Sequence, residues 1–418
     1  MGDKENPANG SFTFMYFFCG EWKMTKSVSA NYRFFILILV VIIAGLSQGL
    51  LLPLLAIILE KAGVSSGANG LNAAALYIGT FLIMLVIEKP VQKLGYKRVI
   101  TIGVVLVTVA TMLFPLWQNL VFWFVLRMLV GIGDSALHYA SQLWITSSSP
   151  AGKRGRHIAI YGMSYAIGFS IGPLGIKLLP YGMWVPFATV SIFFVLAFLL
   201  LLRLPHEYPV QEEKSPSAKR RYAGAVQLAW FALIPSFLYG YMESSINSNF
   251  PVYGLRVGIS EGWVSLLLPA IGIGSLILQL PLGMWSDRIG RKPVLMLSGF
   301  LGALAFLAVP LFSAHVWGVF VAFIIAGGLV GSFYSLGLAY IADLVPKASL
   351  PAANIIASIN FSVGSIVGPN LGGLGIQYVA PGSMFYFLGG MFLLFTICGF
   401  FFQRAKQQEE SSLIHFTN

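Results

Sequence analysis

The chain repeats itself at one fixed offset, in a sequence too apolar to live in water. Lys61-Ala62-Gly63-Val64-Ser65 returns as Arg256-Val257-Gly258-Ile259-Ser260, and Gly79 returns as Gly274. Lys93-Leu94-Gly95-Tyr96-Lys97-Arg98-Val99 returns as Arg288-Ile289-Gly290-Arg291-Lys292-Pro293-Val294. Every pair lies about 195 residues apart, which shared composition alone would not produce. With 57% hydrophobic and 10% charged residues and a mean hydropathy of +0.80, both halves belong in a bilayer. Two similar membrane halves facing each other can enclose a site near mid-membrane and rock around it. The repeat therefore points to transport before any single side chain is considered.

A helix needs roughly 20 apolar residues to cross about 30 Å of hydrocarbon. Twelve stretches meet that length: 32–60, 70–92, 97–117, 119–146, 157–179, 183–204, 225–250, 260–283, 293–313, 316–344, 351–378 and 382–403. Alternating segments of about ten residues, the mark of a membrane β-barrel, do not occur. The expected fold is all-α and integral to the membrane, with twelve transmembrane helices in two pseudo-symmetric six-helix bundles. Residues 1–30 read as an amino-terminal cytoplasmic segment, 31–204 as the first bundle, 225–404 as the second and 405–418 as a cytoplasmic tail. Between the bundles, the polar stretch 205–224 reads as a flexible cytoplasmic linker.

A net charge of +11 invites a nucleic-acid reading, but the placement of the charges rejects it. With the amino terminus inside, the basic clusters around Lys89–Arg98, Lys153–Arg156, Arg203–Arg221, Arg288–Lys292 and Arg404–Lys406 all fall on one side. The opposite loops hold only Lys61, Lys177 and Arg256. This is the positive-inside asymmetry, and it puts both termini in the cytoplasm of a cell (bacterial inner) membrane. Cys19 and Cys398 lie on the cytoplasmic or membrane side, so no disulfide is expected, and no metal-ligand cluster is visible. Phe12–Cys19 is too short to span and lacks the basic start and cleavage site of a secretory signal. Gly20-Glu21-Trp22-Lys23 can be encoded by a purine-rich run resembling a ribosome-binding site, which makes Met24 a candidate start.

The fourth span is the chemical centre. Arg127, Gly131, Asp134 and His138 fall at i, i+4, i+7 and i+11 and so share one helix face. A charge facing lipid there would cost about 2.5–3.5 kcal/mol, so these side chains should face protein or water. In the seventh span Glu243 stands at the repeat position of Gln48 in the first, followed by Asn247. A carboxylate drawn out of water can take up a proton near neutral pH. Blander readings stand beside these: an internal Arg127–Asp134 ion pair that only joins helices, a packing histidine, and a solvated rim position for Glu243. Trp117, Trp123, Trp184 and Trp317 fall near the span ends as belt residues. Tyr239, Tyr241, Tyr334 and Tyr340 are better cavity candidates, because a hydroxyl facing lipid would go unpaired. An aromatic cavity with carboxylates suits amphipathic and cationic molecules. No nucleotide-binding loop of the Gly-x-x-x-x-Gly-Lys-Ser/Thr type is present.

After the eighth span stands Gly283-Met-Trp-Ser-Asp287-Arg288-Ile-Gly290-Arg291-Lys292. This resembles the cytoplasmic-loop signature of the major facilitator superfamily, Gly-x-x-x-Asp-Arg-x-Gly-Arg-Lys. The resemblance implies a conformational latch through Asp287 and Arg288, against the simpler reading of a basic turn that fixes topology. In the first half Glu88 replaces the leading Gly and Gln92 the Asp, which puts an amino-terminal latch in doubt. Gly168-Phe-Ser-Ile-Gly172-Pro173-Leu-Gly175 in the fifth span and Gly364-Ser-Ile-Val-Gly368-Pro369-Asn-Leu-Gly372-Gly373 in the eleventh resemble the family's Gly-x-x-x-Gly-Pro-x-x-Gly-Gly element. In the fifth span that element is associated with drug-exporting antiporters. Lys177 stands where its last Gly would be, and generic tight packing explains both copies equally well. Arg127-x-x-x-Gly131-x-Gly133 resembles the fourth-span element of proton-coupled antiporters, whose Arg is implicated in proton transfer. In this superfamily spans 1, 4, 7 and 10 line the cavity, which implies that Gln48, Arg127, Asp134, Glu243 and Tyr334 face it.

The resemblance covers about residues 30–405 and is nearest to bacterial drug:proton antiporters. It implies a monomeric secondary transporter, not an enzyme, with a small-molecule substrate, the proton as coupling ion and no other cofactor. Its expected action is proton-coupled export of small amphipathic compounds or drugs by alternating access. Proton-coupled uptake of a sugar or other metabolite is the nearest alternative, which the polar Gln48, Asn247 and Asn249 suit. A membrane-bound enzyme or a non-transporting receptor on the same fold is more distant.

Overall fold

The structure, a computed structural model, describes residues 30–149, 154–209, 218–346 and 349–402. Cys19, the candidate start at Met24 and the tail after 402 lie outside the described residues. Among the described residues fourteen α-helices run in order: α1 (Ala30–Lys61), α2 (Ser66–Met84), α3 (Glu88–Leu94), α4 (Tyr96–Leu113), α5 (Leu120–Ser148), α6 (Arg154–Ile171), α7 (Trp184–Leu202), α8 (Ala218–Arg256), α9 (Glu261–Ile289), α10 (Arg291–Ala308), α11 (Val316–Val330), α12 (Phe333–Leu344), α13 (Leu350–Tyr378) and α14 (Ser383–Phe401). Eleven spans are long and apolar enough to cross a membrane, and α8, with 39 residues, supplies the twelfth by position. There is no strand among the described residues.

The expected spans differ from these helices at several points, and three of them have a clear local cause. The second span stops at Met84, and the charged 88–94 segment folds as the separate helix α3. The fifth stretch changes at Gly172-Pro173 into a 3-10 helix, Gly172–Tyr181, because proline cannot donate to the α-helical ladder. The tenth is two helices, α11 and α12, broken around Gly331-Ser332.

The repeat is visible in the backbone itself. Gly63 and Gly258 close α1 and α8 with φ of 74° and 85°. At both ends the next residue's amide reaches back five residues, Val64 to Leu59 and Ile259 to Gly254, as in a Schellman cap. Gly95 and Gly290 turn the chain before α4 and α10 with φ of 79° and 98°. Lys97 then donates to the carbonyls of Leu202 and Leu204, and its counterpart Lys292 donates to that of Phe402. In each half, one lysine thus satisfies the exposed carbonyls at the end of the last helix.

Within each half, glycines bring helices to backbone contact. A Cβ on Gly131 would lie 1.9 Å from the Leu76 carbonyl, and one on Gly327 would lie 2.2 Å from that of Ile271. These contacts join α5 to α2 and α11 to α9. Gly168 and Gly172 press on Ile42 and Leu46 of α1, while Gly364 and Gly368 press on Phe237 and Tyr241 of α8. The paired small residues therefore act as packing surfaces in both copies.

The halves meet toward one end, that of the 61–66 and 256–261 turns, which is the outer end in the topology expected from the charge asymmetry. There α2 lies against α13, with a Cβ on Gly70 falling 2.1 Å from the Pro369 carbonyl and one on Gly373 falling 2.4 Å from that of Ser66. Gly67 N–H donates to Gln377 Oε1 at 3.0 Å. The ion pairs Arg256–Glu60 and Lys61–Glu261 join the halves at the same end. At the opposite end, the first linker residues are docked rather than free. Glu207 takes Arg33 and Trp144 Nε1 on its carboxylate, and its carbonyl accepts Tyr96 N–H at 3.0 Å.

Candidate functional site

Deep in the first half, five polar side chains from α1, α5 and α6 form one network. Gln48 Nε2 donates to Asp134 Oδ2, and Tyr165 donates to Gln48 Oε1 at 3.1 Å. His138, one turn after Asp134, holds its Nδ1 2.8 Å from the Tyr161 hydroxyl. That hydroxyl donates to the His138 carbonyl at 3.1 Å. Because it has only one proton to give, Nδ1 is the donor in the ring contact. Nε2 stands 3.5 Å from Asp134 Oδ2 without a hydrogen bond of proper geometry. Two acceptors facing each other at that distance repel, so a proton on either group relieves the contact.

Asp134 is 3% exposed and Gln48 is 8% exposed. The helix positions explain the convergence. Gly45 and Gly49 let α6 approach α1 so closely that Tyr165 and Phe169 lie against them. Gly131 seats α5 against α2 in the same way. The apolar residues around the network supply no partners, so its members must satisfy one another.

Arg127 shares the face of Asp134 but does not pair with it. It is 1% exposed, and none of its three nitrogens has a hydrogen-bond partner. Leu51, Leu52, Leu55, Leu76, Phe114 and Val130 enclose it around a void of about 10 Å³. The helix-joining ion pair between Arg127 and Asp134 is therefore absent. A guanidinium left alone at this depth is costly and strongly favours any acceptor that reaches it.

In the second half Glu243 lies across from this network. It is partly exposed, and among the described residues no hydrogen bond or ion pair reaches its carboxylate. It is within electrostatic reach of Tyr77, Tyr165 and Tyr239, two from the first half and one from its own. Asp134 reaches Tyr77, Tyr161 and Tyr165. Tyr239, Tyr334 and Phe361 form an aromatic wall beside Glu243, with ring centroids 5.7–6.1 Å apart. Asn247 donates to the Glu243 carbonyl at 2.8 Å, which ties its amide to the helix backbone.

Not every expected site residue reaches this space. Tyr241 is fully buried, stacked on Phe237 where α8 packs against α13. Asn249 is spent in the same seam, on Ser245, Gly368 and Pro369. Tyr340 packs toward Phe231 and Phe402, at the end opposite the 61–66 turn. Trp123 is 1% exposed and donates to the Phe114 and Trp117 carbonyls, whereas Trp117, Trp184 and Trp317 are exposed as belt positions require. Sequence reasoning missed Tyr161 and Tyr165. Their spacing from His138 is a tertiary matter, although a tyrosine pair four apart on a glycine-rich span was a usable signal. The Trp317-lined groove of about 750 Å³ between α10 and α11 is lined almost entirely by apolar side chains and offers no titratable group.

The turn after α9 is held by Arg291. It bridges Asp287, 2.5 Å away, and Asp343 at the end of α12, 3.2 Å away, and donates to Ser286. Arg288 is exposed and makes none of these contacts. Gly290 is required by its positive φ, while a Cβ on Gly283 would meet nothing within 4 Å. In the first half Gln92 only donates back to Glu88 at 3.2 Å on the same short helix.

A profile of the Major Facilitator Superfamily matches residues 37–274 and again 232–415. The uncharacterized MFS-type transporter YfkF of Bacillus subtilis (strain 168) is 42% identical over 363 residues, covering 86% of this chain and 92% of that protein. An MFS-type transporter of Yersinia pestis (strain Pestoides F) is 23% identical over 337 residues, 78% of this chain and 85% of its own. Among solved structures, the nucleoside transporter NupG superposes with a TM-score of 0.70 at 16% identity, covering 88% of this chain and 98% of that one. A bacterial homolog of the human lysosomal transporter Spinster gives 0.66 at 16%, covering 89% and 94%. At these identities the structural likeness is one of fold.

Proposed function

Because the chain belongs to the Major Facilitator Superfamily and is a multi-pass secondary transporter of small molecules, we propose that it exchanges protons for small amphipathic compounds, exporting them across the bacterial cell membrane. One observation supports this reading: two membrane-embedded carboxylates from opposite halves, Asp134 and Glu243, both lie within electrostatic reach of Tyr77 and Tyr165. Asp134 is held by Gln48 beside His138, and Glu243 stands without a partner beside the Tyr239–Tyr334–Phe361 wall. A proton on Asp134 removes the charge that burial penalises and satisfies His138. A cationic or amphipathic substrate on the aromatic wall brings Glu243 a counter-charge and displaces its proton. Arg127, unpaired two turns from Asp134 along α5, rewards the deprotonated carboxylate when rocking of the halves brings one near.

Uptake of a polar metabolite is the second reading. Gln48 and Asn247 at this site favour it, and the fold is shared with a nucleoside transporter. Proteoliposomes with an internal pH dye separate the two, challenged with lipophilic cations, neutral antimicrobials, sugars and nucleosides. Exchange predicts proton movement opposite to the substrate, and uptake predicts movement with it. No substrate-triggered pH change across the panel, in folded protein, would remove proton coupling from the account.

A further inference from the structure

Four charged residues at the outer ends of α1, α8 and α9 are crossed between the halves. Lys61, the last residue of α1, pairs with Glu261, the first of α9. Arg256, the repeat counterpart of Lys61, pairs with Glu60 through two contacts, Nε–Oε1 at 2.7 Å and Nη2–Oε2 at 3.2 Å. Each half therefore gives one cation to the other and receives one. The outer loops hold three basic residues in all, and two of them are used here. Beneath these pairs lies the seam where Gly70 meets Pro369 and Gly373 meets Ser66, backbone against backbone. Glu60 is twelve residues beyond Gln48 on α1, about 18 Å along the helix, so the crossed pairs are separate from the transport site.

We propose that Lys61–Glu261 and Arg256–Glu60 form an outer clasp, two cross-half ion pairs that must break for the site to open at this end and that re-form to close it. The halves move as bodies, so both pairs break in the same step. All four side chains keep contact with water, with Lys61 53% and Arg256 32% exposed. Pairs of that kind bias an equilibrium without freezing it. The clasp thereby sets the balance between the two end states and the ease of return to the outward-closed one. Because it is partly exposed, salt weakens it.

The test places spin labels at Leu116→Cys and Leu311→Cys, repeat-related and exposed at the outer flank of each half, with Cys19 and Cys398 replaced by Ser. Electron–electron distances are recorded on the full chain in nanodiscs. Wild type should show mainly the short distance, with a long-distance fraction that grows in 1 M salt. Glu60→Gln with Glu261→Gln should raise the ratio of long to short by about fivefold to tenfold and abolish the salt response. The fourfold swap (Glu60→Arg, Lys61→Glu, Arg256→Glu, Glu261→Lys) should restore the wild-type distribution and its salt response. An unchanged distribution in the double Gln variant overturns the clasp. If that variant does not fold, the swap decides: a folded swap without salt response overturns it too. No substrate or proton gradient enters the readout, so failure here is distinct from failure of the transport reading.

Discussion

Gly70→Ala should open the outer end of the protein without touching its site. The added Cβ would sit 2.1 Å from the Pro369 carbonyl oxygen and 2.8 Å from its carbon. An acceptable carbon–oxygen contact is about 3.3 Å, so α2 and α13 must separate locally by roughly 1 Å. The obstructing atoms are main chain in the middle of a helix, and no rotamer change removes them. Overpacking of this kind costs about 1–3 kcal/mol. The cost falls only on the state in which the halves touch here, so the ratio of outer-open to outer-closed protein should rise about fivefold to 150-fold. Gly131→Ala is the matched control. Its Cβ would lie 1.9 Å from the Leu76 carbonyl, but that contact is inside the first half and exists in both end states. It should lower the thermal midpoint and leave the Leu116–Leu311 label distance as in wild type. A Gly70→Ala distribution identical to wild type, or an equal shift in Gly131→Ala, would refute the assignment of α2 and α13 to the moving seam.

Other residues give equally direct outcomes. Arg291→Ala removes the bridge to Asp287 and Asp343 and should slow transport severalfold, with Asp343→Asn partly reproducing it and Arg288→Ala having little effect, as read by initial flux. Lys292→Met loses the donor to the Phe402 carbonyl and the cation over its ring, and should destabilise the fold by about 1 kcal/mol in thermal scans. His206, outside the spans, is held below the ordinary imidazole range by partial burial and by the charges of Lys97 and Arg98. Its NMR titration midpoint should fall below about 6.5, so it stays neutral to lower pH than a free histidine. Lys97→Met should move that midpoint up only part of the way, because burial is the larger cause.

Much of the architecture was legible in the sequence because the repeat fixes it. The glycines at 63, 95, 258 and 290 and the lysines at 97 and 292 recur with the same turn and cap roles. The shared face of Arg127, Asp134 and His138 followed from helical period alone. What sequence could not give was which neighbour each side chain meets. Period places Arg127 and Asp134 on one stripe, but Gln48 arrives from α1 and takes the carboxylate. Tyr241 and Tyr239 are two residues apart on α8, and only the approach of α13 through Gly364 and Gly368 decides which one is sealed. In the signature turn, Arg291 rather than Arg288 carries the contacts because Asp343, in the last turn of α12, arrives beside it, a long-range fact.

On the proposed exchange, protons leave Asp134 or Glu243 when substrate binds. The direct measurement is proton release from purified, folded protein in weak buffer with a pH indicator, on addition of a lipophilic cation that the protein transports. Release is expected in wild type, reduced release in Asp134→Asn and in Glu243→Gln, and none in the double variant. Undiminished release from the double variant would contradict the proposed exchange.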